Sequence, residues 1–183
     1  MSSHRYSFQS VWRVDATPEE AYRIMEDTLS YATWWPAVWL KVEKIASGDE
    51  KGIGASHKIV TKGWLPYLIH WTSTTVEKRF PERIAIEAAG DFRGQGEWTI
   101  RADGKQTHMV YDWNLYADKP FLKRWSFLLK PLFSFNHQWA MRKGLESLKL
   151  ELLRRRAADE TARKQIAPPG PVFWFGRPRE LQS

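Results

Sequence analysis

A chain of 183 residues, 43% hydrophobic and 27% charged, can bury a substantial core and has the balance of an ordinary globular protein. Its net charge of +7 permits contact with anionic surfaces, but the cations are dispersed except at Arg154, Arg155 and Arg156 and accompany no nucleic-acid motif; a solvated basic surface is expected, not a nucleic-acid partner. The absence of cysteine excludes disulfides, thiolate metal ligands and cysteine nucleophiles.

The chain opens with alternation. Tyr6, Phe8, Trp12 and Val14 fall on one side and Arg5, Ser7, Gln9 and Arg13 on the other, the period of a half-buried strand. Thr17-Pro18-Glu19-Glu20 then reads as a capping box, and Ala21, Ile24 and Met25 supply one apolar helix face. Thr33-Trp34-Trp35-Pro36 follows, where the proline ends any helix.

From Val38 to Asp118 strand follows strand. Leu40 and Val42 alternate with Lys41 and Glu43, and Ser47-Gly48-Asp49 turns the chain. Ala55, His57 and Ile59 share an inner face, which makes His57 a histidine among apolar neighbours. A loop, Gly63 to Pro66, carries Trp64. Tyr67, Ile69, Trp71 and Ser73 share the next face, and Ile84 and Ile86 open another strand after Phe80-Pro81-Glu82. Phe92, Trp98 and Ile100 oppose Arg93, Glu97 and Arg101, with Gly94 and Gly96 marking a bulge or strong bend. Asp103-Gly104 signals a tight hairpin into Met109, Tyr111, Trp113 and Leu115. Short connections imply antiparallel neighbours, and one apolar face per strand implies a sheet covered on one side.

The cover is the stretch from Pro120 to Arg156. Met141, Leu145, Leu148 and Leu152 recur at helix spacing, and the same face run backwards meets His137 and Phe133. Gly144 lies close to that face and admits a near neighbour. Pro131 is expected to kink or break the helix. Upstream, Phe121, Trp125, Leu128, Leu132, Phe135 and Trp139 form an offset apolar face, punctuated by Lys123, Arg124 and Lys130. Residues 121–135 therefore read either as interior or as an interfacial segment meeting an anionic membrane. Domain boundaries are placed at 1–157, with a tail at 158–183. In the tail, Ile166 to Arg179 holds four prolines around Phe173, Trp174 and Phe175, and either drapes over the domain or hangs free.

The order of elements and three loose motifs carry a family resemblance. These are Val14-Asp15-Ala16-Thr17-Pro18-Glu19-Glu20-Ala21-Tyr22, Trp34-Trp35-Pro36, and Asn136-His137 through Met141-Arg142-Lys143-Gly144 to Leu148. Over about residues 4–157 the chain resembles the SRPBCC superfamily, in its polyketide cyclase/dehydrase and START-like branch. The resemblance implies an α+β helix-grip fold, a curved seven-stranded antiparallel sheet wrapped around a long C-terminal helix. It also implies a deep apolar cavity for a lipid, sterol or polyketide, without a cofactor; some members of the family are cyclases or dehydrases. Family catalytic residues vary between branches and none transfers to a position here.

Inner-face positions predict a ligand site of Trp35, His57, Ile59, Ile69, Trp71, Ile86, Trp98, Tyr111, Trp113, Phe133, His137 and Met141. Under an enzyme reading, His137 or His57 transfers a proton and Tyr111 holds a carbonyl oxygen. Under the plainer reading the histidines are buried and bonded locally. The five histidines show no metal-ligand spacing, and no phosphate loop or nucleophile elbow is present. No apolar run approaches the roughly 20 residues of a membrane span, and the first ten residues lack the apolar core of a signal peptide, so a cytoplasmic location is expected.

Overall fold

The computed structural model describes the backbone of residues 4–117, 120–174, 176–178 and 181, and side chains within these ranges except 4, 5, 117 and 120–130. Strand β1, His4–Val14, buries Tyr6, Trp12 and Val14 and turns Ser7, Gln9, Val11 and Arg13 outward. Helix α1, Pro18–Met25, starts on the expected capping box. The Thr17 hydroxyl accepts from the Glu20 amide at 3.2 Å, and the Glu20 carboxylate accepts from the Thr17 amide at 2.9 Å. The helix buries Ala21, Tyr22, Ile24 and Met25. A 3₁₀ turn at Thr28–Ser30 leads into the short helix α2, Tyr31–Trp34, which delivers Trp34 and Trp35 to the core.

Six further strands follow: β2 Trp39–Ala46, β3 Ser56–Thr61, β4 Ile69–Arg79, β5 Arg83–Gly90, β6 Arg93–Asp103 and β7 Gln106–Ala117. They form one antiparallel sheet in the order β1-β7-β6-β5-β4-β3-β2. After β1 the chain crosses to the far edge through α1 and α2, then returns strand by strand until β7 pairs with β1.

Two local expectations need correction. Gly94 and Gly96 form no bulge, because pairing with both neighbours runs unbroken through them. Their missing side chains make room instead: a Cβ on Gly96 would stand 2.7 Å from the Trp113 ring. Register shifts occur in β2 and between Thr75 and Glu77. The β6–β7 hairpin loop is Gly104-Lys105, since Asp103 pairs with Gln106, and Gly104 takes the positive φ of +62°.

Helix α3, Pro120–Arg156, runs through Pro131 without ending, contrary to a break at that residue. The proline removes one amide donor, a local loss within 37 helical residues. Met141, Leu148 and Leu152 are buried as their spacing predicts. The offset face is divided: Trp139 is buried, whereas Leu132 and Phe135 are exposed. The side chains of Phe121, Lys123, Arg124, Trp125, Phe127, Leu128 and Lys130 lie outside the described residues. Arg156 at the end of α3 grips Glu20 of α1 with two bonds of 3.0 and 2.8 Å, which hold the Glu20 carboxyl below its ordinary pKa.

Beyond α3 the structure adds a helix the sequence reading omits, α4 Glu160–Gln165, capped by Asp159 through the Ala162 amide at 2.8 Å. The proline-rich segment then drapes. The Lys62 ammonium donates to the Val172 carbonyl at 2.6 Å, and the Trp174 indole donates to the Trp64 carbonyl at 3.0 Å.

Gly144 faces the rings of Trp35 and Trp12, and a Cβ there would stand 2.7 Å from Trp12 and closer still to Trp35. A glycine-to-alanine change inside a helix ordinarily stabilises by about 1 kcal/mol. Here both rings are buried and cannot retreat. Gly144→Ala is therefore expected to destabilise the protein by about 1–3 kcal/mol, the usual range for overpacking, as read from urea unfolding midpoints at unchanged slope.

Candidate functional site

Between the inner face of the sheet and the middle of α3, from Leu132 to Met141, lies a cavity of about 850 Å³. The sheet supplies Ile69, Trp71, Ile86, Trp98, Tyr111 and Trp113, α3 supplies Phe133, His137 and Met141, and Trp35 closes one side. Tyr67, 41% exposed, and Leu132, 37% exposed, also line it, so its mouth lies between the β3–β4 loop and α3. Two predicted residues stand apart. Ile59 is fully buried between its strand neighbours Val42 and Trp71 and does not reach the void. His57 is buried beside Ser73 but also falls outside the lining. Its pKa is lowered by burial and then by Lys44, against an opposing pull from Asp27. The expected trio of His57, Tyr111 and His137 thus reduces to a pair.

His137 occupies the helix turn between Phe133 and Met141. Its Nε2 lies 3.2 Å from the Ser10 hydroxyl and its ring stacks on Phe8 at 4.7 Å. Burial lowers its pKa to about 4, so the ring is neutral at pH 7. Tyr111 stands in a stack between Trp98 at 4.6 Å and Trp113 at 5.7 Å. Burial pushes its phenol pKa up, and the hydroxyl has no hydrogen-bond partner among the described residues, so it remains a protonated donor. Gly96 gives this hydroxyl its space, since a Cβ there would approach it to 2.5 Å.

Sequence reasoning missed several polar residues of the lining, Asn136 and Lys62 among them. Asn136 sits one position before His137, and its carbonyl oxygen accepts from the Leu65 amide at 3.0 Å. Lys62 lines the cavity at only 3% exposure. No local pattern announces Lys62, because the tail that helps to bury it lies 110 residues away. Helix spacing alone would have placed Asn136 beside Phe133 and Ala140. Among the described residues no group of three histidines or carboxylates could hold a metal, and no helix is long and apolar enough to cross a membrane.

The family model described as polyketide cyclase / dehydrase and lipid transport matches residues 5–152. The chain belongs to this family. Solved structures agree on the fold. An aromatase/cyclase, Zhui from Streptomyces sp. R1128, superposes at TM-score 0.68 with 18% identity, over 85% of this chain and 98% of that one. A START superfamily protein from Mycobacterium smegmatis gives 0.66 with 11% identity, over 81% and 98%. Norcoclaurine synthase from Thalictrum flavum, in complex with dopamine and hydroxybenzaldehyde, gives 0.61 with 12% identity, over 86% and 91%. A comparison with curated protein sequences finds no match.

In this member of the polyketide cyclase and lipid transport family, the pair His137 and Tyr111 offers one acceptor or donor and one donor to a molecule in the void. The neutral imidazole also links the site to stability. Unfolded, His137 titrates near 6.5, whereas in the fold it titrates near 4. Between these values the unfolded chain binds the additional proton, so stability falls as pH drops from about 6.5 to 4 and is flat above that window with respect to this group. Thermal midpoints across pH 4–8 are expected to decline in that interval, and His137→Leu, which cannot protonate, should flatten the decline.

Proposed function

We propose that the protein binds a hydrophobic small molecule, lipid-like or polyketide-like, in the cavity between sheet and α3. The observation that carries this reading is the cavity itself, about 850 Å³ walled by indole, phenyl and aliphatic side chains with a few polar groups. Protein interiors ordinarily close-pack, and a void forfeits dispersion contacts along its whole lining. A space of this size within a folded core is of the kind that holds a drug-sized ligand. Family membership supports the same reading. Gentle purification followed by native mass spectrometry and solvent extraction should yield protein carrying a hydrophobic adduct. Ala140→Trp, which fills the lining from α3, should retain the far-ultraviolet circular dichroism of the fold and lose the adduct. An adduct-free native protein that takes up no hydrophobic compound would refute the reading.

One observation favours a second reading, an enzyme of the cyclase or dehydrase type: His137 and Tyr111 line the same cavity. The phenol would hold a carbonyl oxygen while the imidazole moves a proton. A histidine with a pKa near 4 is a weak base at pH 7, which favours hydrogen bonding to a ligand over proton abstraction. The two readings part on the extracted ligand. Binding leaves its mass unchanged on incubation, whereas dehydrative cyclisation removes one water. His137→Ala is expected to lower ligand affinity under the first reading and to stop the loss of water under the second.

A further inference from the structure

The charge at the mouth of the cavity does not fit a neutral ligand. Lys62 is buried and lines the void, yet among the described residues it has no carboxylate partner. Its ammonium donates to the Gly63 carbonyl at 2.9 Å and the Val172 carbonyl at 2.6 Å, and it lies 5.7 Å from the centre of the Phe173 ring. Carbonyl dipoles and an aromatic face solvate a cation but do not neutralise it, and buried charges are ordinarily paired. Two of its three donors are occupied, which leaves one. The other charges on the lining are answered within the protein: Glu26 pairs with Lys78 at 2.7 Å, and Asp91 accepts from the His70 amide at 2.8 Å.

A second donor stands beside Lys62. Asn136 packs directly on Gly63, where a Cβ would collide with its amide. The amide oxygen is taken by Leu65, so the amide nitrogen is turned elsewhere and has no acceptor among the described residues. One cation and one neutral amide donor, at the rim of an apolar void, match a group with a single negative charge and two acceptor oxygens.

We propose that the occupant of this cavity is a hydrophobic monocarboxylic acid, with its carboxylate held by Lys62 and Asn136 near the mouth and its apolar body among the tryptophans. The proposal rests on the reading of the cavity as a hydrophobic binding site and adds the chemical class of the headgroup. A phosphate ester carries more charge than one ammonium balances, and a neutral sterol or hydrocarbon leaves the ammonium unpaired.

The test is isothermal titration of delipidated full-length protein with lauric acid and with lauryl alcohol, which share a chain and differ in the charged end. Native protein is expected to bind the acid about tenfold or more tightly than the alcohol, the range of a charge-assisted hydrogen bond. Lys62→Met should bring the acid down to the level of the alcohol titrated on the same variant. Lys62→Gln, which keeps a donor and removes the charge, should do the same and stands in if the methionine variant fails to bind the alcohol. Equal affinity of native protein for both probes, or an acid preference that survives both variants, would overturn the carboxylate proposal while leaving hydrophobic binding intact. Binding of neither probe to native protein would overturn both.

Discussion

The closeness of α3 to the paired indoles Trp12 and Trp35 governs the rest of the architecture. Only a glycine at position 144 allows that approach, because any side chain there would enter the rings. With Leu148 and Leu152 buried just beyond, the C-terminal half of the helix is fixed hard against the core. A helix is a stiff rod, so fixing one half sets where the other half stands. The sheet curves while α3 continues, and the residues of α3 that face the void end at Met141, one turn before Gly144. The cavity is thus bounded by the same contact that stabilises the fold.

Within that space, polarity is sparse and its protonation is held fixed. His137 stays neutral and Tyr111 stays protonated for one reason, desolvation, which disfavours the charged form of each. The tail contributes as well. Val172 and Trp174 hold Lys62 and Trp64 of the β3–β4 loop, and Trp64 meets Phe135 of α3 edge-on at 5.4 Å. Three segments distant in sequence therefore converge beside the mouth, and the loop between β3 and β4 is braced from two sides.

The fold was legible because its signals are local and periodic. Alternation marks β1 and β7 residue by residue, the capping box marks α1, and the four-three-four spacing of Met141, Leu145, Leu148 and Leu152 marks the buried face of α3. The site was less legible where position on an inner face is not the same as access to the void. His57 and Ile59 face inward on β3, but Ile59 is packed in a cluster with Trp39 and Trp71, His57 lies beside Ser73, and of this face of β3 only Thr61, at the strand's end, reaches the void. Lys62 was invisible for the opposite reason. A lysine before a glycine in a loop reads as solvated, and its burial is created by a segment that composition describes only as proline-rich. The glycines of β6 were misread because a missing side chain can serve either backbone bending or a neighbour's ring, and alternation does not separate the two.

The indoles themselves have a consequence for how the molecule handles absorbed light. Trp12 lies 4.7 Å from Trp98 and 5.6 Å from Trp35, Trp35 lies 6.1 Å from Trp39, and Trp39 lies 5.6 Å from Trp71, which lies 6.0 Å from Trp113. At such separations electronic excitation passes between like rings faster than it is emitted. These indoles therefore behave as one antenna, in which a photon taken up at Trp12 samples the rings that line the cavity before it leaves. Any occupant that quenches one indole of the series dims its neighbours as well, so the emission of these six rings reports on the interior together.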